Sequence, residues 1–460
     1  MAGIKALARL VKELEDQLVV CMRCGMCQAV CPLFAETGRE ADVARGKLAL
    51  LDGLARELFA DPQGVAQRLH RCLLCGSCAA NCPSGVKVLE IFIKARAILA
   101  GYMGLSPLKK VIFRGILGRP KFFHQFLAWG AKFQGIFIRP VDDLLGSSCS
   151  RFLSPLLGGR HFKPLAATPW RQRMPSLNTA PGASNLKVAF FVGCLIDKIY
   201  PQVADAVLTT LKHHGVGVYV APDQACCGIP ALSGGDPDTF YKLLRHNLAR
   251  FASEPFDYLV TACATCTATL KQMWPLMGQE LSQEDQARIA ALAEKTLDIS
   301  QFLTDQVGPA PGSGAPDAAR VSLTYHDPCH LKKSLGVAAQ PRALIKANSG
   351  YELKEMAEAD WCCGCGGSFN LQEYEISRAI GRRKRNNIAK SQCSVVATGC
   401  PACMLQITDM LSQAGDAVQV KHVVEIYAAA LPGCHTCYSE QKQILIDKKG
   451  TLLKIPPAPL

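Results

Sequence analysis

Apolar residues recur every three or four positions through residues 5–20 (KALARLVKELEDQLVV), and that spacing predicts a helix. Residues 40–60 and 86–100 carry the same period and read as two further helices. Beyond residue 184 the pattern changes. Residues 186–192 (LKVAFFV) form a short apolar run suited to a buried strand, and residues 196–213 return to helical spacing. Residues 216–220, 258–261, 321–325 and 394–397 read as further strands, and residues 418–431 as a closing helix. Strands alternating with helices predict an α/β core with parallel pairing. Two stretches break the pattern: residues 163–184, rich in Pro, Ala and Ser, and residues 308–317 (GPAPGSGAPD). Both read as linkers.

The second half repeats itself. Cys194, Cys226, Cys227, Cys263 and Cys266 recur as Cys329, Cys362, Cys363, Cys400 and Cys403, at offsets of 135, 136, 136, 137 and 137 residues. Five cysteines drifting by so little mark two copies of one module. The expected fold class is α plus α/β: an all-helical ferredoxin-like domain followed by two repeated cysteine-rich modules. The expected divisions are residues 1–100 for the helical domain, 101–184 for a connecting segment, 185–307 and 320–432 for the modules, and 433–460 for a tail.

Composition narrows the class. The 460 residues are 49% hydrophobic and 19% charged, which excludes a disordered or fibrous protein. There are 23 cysteines, too sparse for a small disulfide-stapled domain and too many for an ordinary enzyme. The first 20 residues mix charges into their apolar positions, unlike a signal peptide, and no run of 18 or more apolar residues predicts a spanning helix. A cytoplasmic, reducing location is expected, where so many thiols imply metal or redox chemistry.

Charge is concentrated in one place. Residues 91–196 hold 15 basic side chains against only Asp142 and Asp143, and account for the net charge of +13. Residues 91–141 contain no acid, and Phe92, Tyr102, Phe113, Phe122, Phe123, Phe126, Trp129, Phe133 and Phe137 interleave there with Lys109, Lys110, Arg114, Arg119, Lys121 and Lys132. Aromatics among cations suit peripheral contact with the inner face of the cytoplasmic membrane. Docking on an acidic partner is the competing reading, and nucleic acid is not expected.

The cysteine runs carry the chemistry. Cys21, Cys24, Cys27 and Cys31, followed by Pro32, form C-x2-C-x2-C-x3-C-P, and Cys72, Cys75, Cys78, Cys82 and Pro83 repeat it. In this bacterial two-cluster pattern three close thiolates cap one [4Fe–4S] cube and the fourth cysteine ligates the other cube. The expected sets are Cys21, Cys24, Cys27 and Cys82, and Cys72, Cys75, Cys78 and Cys31. Zinc knuckles normally lack these prolines and this spacing. Each later module places five thiols around a Cys-Cys-Gly, one more than tetrahedral zinc needs. Glycine after the vicinal pair permits an unusual turn, and a helix start after Cys194 or Cys329 stabilises thiolate. One zinc per module, with a spare thiol, is the alternative.

The phrases RCLLCGSCAANCPSGV and YHDPCH, with ACCGIP and WCCGCGG, resemble the iron–sulfur subunit of glycolate oxidase and D-lactate dehydrogenase complexes. They are also similar to the D and B subunits of heterodisulfide reductase. The helical domain likewise resembles that in iron–sulfur subunits of succinate dehydrogenase. The resemblance implies noncubane [4Fe–4S] clusters in one or both Cys-Cys-Gly modules, with zinc open for one. Relatives of the glycolate oxidase group often lack some of these cysteines, whereas this sequence keeps both sets.

The resemblance implies an oxidoreductase component passing electrons from an FAD-binding dehydrogenase subunit, acting on lactate or glycolate, to a quinone or other acceptor. A heterodisulfide-reductase-like catalytic subunit, the anchor subunit of an anaerobic glycerol-3-phosphate dehydrogenase and a zinc scaffold are the alternatives. No nucleotide-binding glycine motif appears in this chain. Cys149 and Cys393 read as isolated core thiols, Cys365 as a spare thiol beside the vicinal pair, and Cys434 with Cys437 as too little for a site. His326 and His330 flank Cys329, where either is placed to tune a cluster or to hold a turn.

Overall fold

The computed structural model describes residues 2–152, 158–310 and 320–432, together with the strand pair Leu445–Ile446 and Leu452–Leu453. Cys434 and Cys437, and most of the second expected linker, lie outside the described residues.

In the N-terminal region, helix Ala2–Lys12 packs on both Ala44–Ala55 and Val88–Met103. Their shared stripe is Leu7, Val11, Leu48, Leu51, Ile91 and Ala95, all nearly or fully buried. The first helix is shorter than its periodicity predicts. It stops at Lys12, a turn follows, and Glu15–Leu18 resumes. That turn lets Leu14 and Leu18 both reach the core. The cysteine runs sit in loops, each with a four-residue helix, Met26–Ala29 and Ser77–Ala80.

The basic segment is folded. Helix Pro107–Lys110 passes into π-helical turns at Val111–Leu117, then helix Pro120–Phe137 leads to the antiparallel hairpin of β1 (Ile138–Asp142) and β2 (Ser147–Ser150). The expected linker at 163–184 is a correction. It holds a short helix, Trp170–Arg173, and a strand, β3 (Leu177–Asn178). Trp170 is 1% exposed and donates to Asp205 Oδ1 at 2.8 Å, so a buried aromatic fixes a stretch whose Pro-rich composition reads as loose.

The first module is a five-stranded sheet of β3, β4 (Lys187–Phe190), β5 (Gly217–Val220), β6 (Tyr258–Thr261) and β7 (Thr296–Asp298), in the order β3-β5-β4-β6-β7. Only β3 is antiparallel. The second module has β8 (Val321–His326), β9 (Tyr351–Leu353), β10 (Val395–Thr398) and β11 (Gln419–His422), all parallel, in the order β11-β10-β8-β9. Without β3 the two orders are identical, so the cysteine repeat is a repeat of fold.

Two helices differ from their sequence pattern. Residues 196–213 divide into Cys194–Lys198 and Pro201–His213, because Pro201 starts a new helix rather than continuing the old one. In residues 418–431, Gln419–His422 is a strand and only Val423–Ala428 is helical. Parallel pairing to β10 takes the first four residues, and His422 with Glu425 forms a capping box that starts the helix.

Candidate iron–sulfur and cysteine-rich sites

The two N-terminal loops are copies at the level of backbone. Arg23 and Leu74, each just before the second cysteine, have φ of 57° and 55°, and Gly25 and Gly76, just after it, have 87° and 73°. These left-handed steps turn each loop sharply enough for three thiols to face inward. Cys21, Cys24, Cys27, Cys78 and Cys82 line one cavity. Burial first, then the neighbouring Cys75 and Cys72 sulfurs, push the Cys31 thiol up to about 12. Burial and the sulfurs of Cys72, Cys75 and Cys31 likewise raise Cys78. The fold thus brings Cys82 to the first run and Cys31 to the second. Buried thiols that raise one another in this way need a metal's positive charge to ionise together.

In both modules the chain reverses its direction of strand addition between the first and third parallel strands. This is the switch point where ligands bind in open α/β sheets. Cys194 follows β4 and Cys263 follows β6, while Cys329 follows β8 and Cys400 follows β10. All four start helices: Cys194–Lys198, Ala264–Ala268, the π-turn His330–Ser334 and Pro401–Ala414. Cys-Cys-Gly supplies the remaining wall. Gly228 and Gly364 both have φ of 95°. A Cβ there would lie 2.6 Å from Phe240 Cδ2 and from the Ser377 carbonyl oxygen, respectively.

The thiols meet in order. Cys226 touches Cys194 and Cys227, and Cys227 touches Cys266. In the second module Cys362 touches Cys329, and Cys363 touches Cys362 and Cys403. Two contacts cross between regions. Cys263 meets Cys400, which joins the modules, and Cys75 meets Cys362, which joins the N-terminal loop to the second module. The hydrogen bond with Cys362, followed by burial, holds Cys75 well above the ordinary thiol value. The seam has other ties. His330 bridges Thr265 Oγ1 and the Leu74 carbonyl, both at 3.1 Å, and Lys333 donates to Ser77 Oγ at 2.7 Å.

The flanking histidines have different surroundings. His330 holds the seam just described. The ring of His326 is fully buried, which draws its pKa down to about 3 and keeps it neutral. Its Nδ1 lies 3.1 Å from the Ala359 carbonyl, leaving Nε2 without a protein partner. His326, Cys363 and Cys403 place ligand atoms within 4.8 Å of one another, and a carbonyl-anchored neutral imidazole is a common metal-ligand arrangement. Phe191 occupies the corresponding place after β4 in the first module. Cys365 is half-buried near Cys363, Cys393 is buried, and Cys149 accepts from Arg139 Nε at 3.2 Å.

Buried cations beside the sulfurs escape sequence spacing. Lys47 is 1% exposed and interacts with Cys72 and Cys31. Arg96 donates to the carbonyls of Cys72 at 2.8 Å, Leu69 at 2.6 Å and Ser233 at 2.9 Å. Lys198 feels Cys194. Burial lowers Lys384 to about 8 although the Cys363 and Cys362 sulfurs oppose the shift. Such charges offset the negative charge of thiolate-bound iron. A signal was present for two of them: Lys47 and Arg96 stand on the apolar faces of their helices.

Two sulfur-lined loops and two switch-point thiol sets define a multi-cluster iron–sulfur oxidoreductase component. Comparison with known proteins gives the same class. Residues 17–86 match the 4Fe-4S dicluster domain, and residues 188–271 and 323–408 each match the cysteine-rich domain named for Cys-Cys-Gly. The chain is 30% identical over 423 residues to the "Probable glycolate oxidase iron-sulfur subunit" of Bacillus subtilis, covering 89% of this chain and 92% of that protein. It is 30% identical over 415 residues to a subunit of the fumarate reductase (CoM/CoB) of Methanothermobacter marburgensis, covering 88% and 71%. It is 32% identical over 244 residues to "Lactate utilization protein A" of Geobacillus kaustophilus, covering 53% and 99%. The chain belongs to this family of iron–sulfur subunits, and in it the dicluster domain precedes the paired cysteine-rich domains.

Proposed function

We propose that this chain is the electron-transfer subunit of a flavoprotein-linked 2-hydroxy acid dehydrogenase. Its N-terminal region is read as a helical ferredoxin-type domain. Cys21, Cys24, Cys27 and Cys82 hold one cubane, and Cys72, Cys75, Cys78 and Cys31 hold the other. The five cysteines of each later module hold a noncubane [4Fe–4S] cluster. An FAD-binding partner oxidises lactate or glycolate and delivers electrons singly to this chain, which passes them to a quinone or other acceptor. The carrying observation is the contact of Cys75 with Cys362 and of Cys263 with Cys400. These junctions link the dicluster region to the second module, and the second module to the first. The names of the Bacillus and Geobacillus relatives support glycolate or lactate as the donor.

The test is anaerobic bleaching of the iron–sulfur absorbance in the co-purified complex on adding D-lactate, L-lactate or glycolate. Bleaching by one of them, followed by reoxidation with a quinone, is expected. A second reading rests on the Methanothermobacter relative and on both thiol sets being complete: disulfide reduction at the module seam. Disulfide turnover without bleaching by any hydroxy acid would replace the first reading with the second.

A further inference from the structure

The face of helix Pro120–Phe137 that carries its largest apolar side chains is turned outward. Phe122, Phe126, Trp129, Phe133, Ile136 and Phe137 recur at three- and four-residue intervals, hence along one stripe, and are between 42% and 61% exposed. The opposite face is what the protein holds. His124 Nε2 lies 3.2 Å from the Gln224 carbonyl, Ala131 is buried, and Gln134 makes two hydrogen bonds with the Leu165 backbone. An ordinary surface helix has the reverse arrangement. The stripe is also longer than scattered surface apolar residues require, at roughly 22 Å for the rise from Phe122 to Phe137.

The charge along this stretch of chain is of one sign, and Asp223 is the acid that lines a cavity with Trp129 and Lys132. Residues 91–141 contain no acid. Lys109 and Arg114 are occupied within the fold, by the Gly234 carbonyl and by Asp236 with Asp238. Lys110, Arg119, Lys121 and Lys132 form no ion pair among the described residues. Helical spacing places Lys121 and Lys132 together on one flank of the stripe. No described helix is long and apolar enough to cross a membrane. An outward stripe of Phe, Trp and Ile flanked by unpaired lysines is the composition of a helix lying in a headgroup layer.

We propose that helix Pro120–Phe137 lies in the surface of an anionic phospholipid bilayer, with the Phe–Trp–Ile stripe among the headgroups and Lys110, Arg119, Lys121 and Lys132 on lipid phosphates. This goes beyond electron transfer and does not depend on which donor is oxidised. It gives the complex a fixed place on a membrane and sets this segment beside a bilayer-dissolved acceptor.

The test is co-sedimentation of the anaerobically purified full chain with vesicles of phosphatidylcholine alone, or of equal parts phosphatidylcholine and phosphatidylglycerol. Binding to the mixed vesicles is expected, weakening with salt. The combined changes Phe126→Ser, Trp129→Ser and Phe133→Ser, and separately Lys110→Glu, Arg119→Glu, Lys121→Glu and Lys132→Glu, should each weaken binding at least about tenfold. Brominated lipid should quench the wild-type tryptophan fluorescence but not that of Trp129→Phe, a change that leaves the stripe apolar. No binding to the mixed vesicles, unchanged binding in both multiple variants, or quenching that survives Trp129→Phe would overturn the proposal. So would variants that keep vesicle binding but release a protein partner.

Discussion

Replacing Arg96 with Met should separate the stability of the dicluster region from its electrostatics. Arg96 is 3% exposed, and its two terminal nitrogens reach three carbonyls, of Leu69, Cys72 and Ser233. The first two belong to the approach to the second cysteine run and the third to the first module, so one side chain fastens both. Methionine matches the stem but leaves the Cys72 and Ser233 carbonyls without their donor, while the Leu69 carbonyl keeps the Cys72 N–H at 3.1 Å. At about 1–3 kcal/mol for each of these two groups, the loss is about 2 kcal/mol at the low end. A differential melt of the anaerobic protein should fall by about 4–8 °C, at about 2–4 °C per kcal/mol for a unit of this size. Arg96 also stands beside Cys72, so losing its charge disfavours the more negative reduced cluster and lowers that cluster's potential. Arg96→Lys keeps the charge without the fork and should restore the potential more fully than the melting temperature. An Arg96→Met protein that retains its iron, melts within about 2 °C of wild type and keeps its potential would refute this reasoning.

Gly364→Ala should cost more than about 3 kcal/mol, because the new methyl meets the Ser377 carbonyl oxygen at a φ of 95°, and should strip metal from the second module. Gly228→Ala meets the Phe240 ring instead and should be milder, and iron analysis of the two variants checks the order. His70 and His124 are drawn down to about 3 and about 4, in each case first by burial and then by a neighbouring arginine. Their folded pKa values lie below the unfolded value near 6.5, so their stabilisation is complete above that pH and is lost as pH falls toward 4. At full effect each steepens acid unfolding by about 1.4 kcal/mol per pH unit, and a His70→Gln, His124→Gln protein should show the flatter pH curve; superimposable curves would count against it. His326→Phe copies the first module's residue and should alter the electron paramagnetic resonance spectrum of the second module's centre alone. An unchanged spectrum would make His326 a packing residue.

The cysteines were legible because covalent spacing alone decides which thiols a tight loop can gather. The strands Tyr258–Thr261 and Val395–Thr398 were legible for a similar reason, being short β-branched runs bounded by cysteine loops. Gln419–His422 was not, since four residues ahead of a helix become a strand only through their pairing with β10. Residues 163–184 looked like linker by composition, and Trp170 in its buried slot overrides that. The exposed stripe on Pro120–Phe137 was half legible. Its aromatics and cations stand in the sequence, but their outward direction depends on the anchoring of His124 and Gln134. Sequence alone overstates the free charge at Lys109 and Arg114, whose partners lie far along the chain. The contacts of Cys75 with Cys362 and of Cys263 with Cys400 have no sequence signature, because tertiary packing alone creates them.

The central claim is that all four cysteine sets carry iron–sulfur clusters. Iron, acid-labile sulfide and zinc should therefore be counted on one anaerobically purified sample of the full chain. Four clusters of ~4 Fe predict ~16 Fe with matching sulfide and negligible zinc. A count of ~8 Fe with ~2 Zn would make both later modules structural zinc sites and end the electron path at the N-terminal pair.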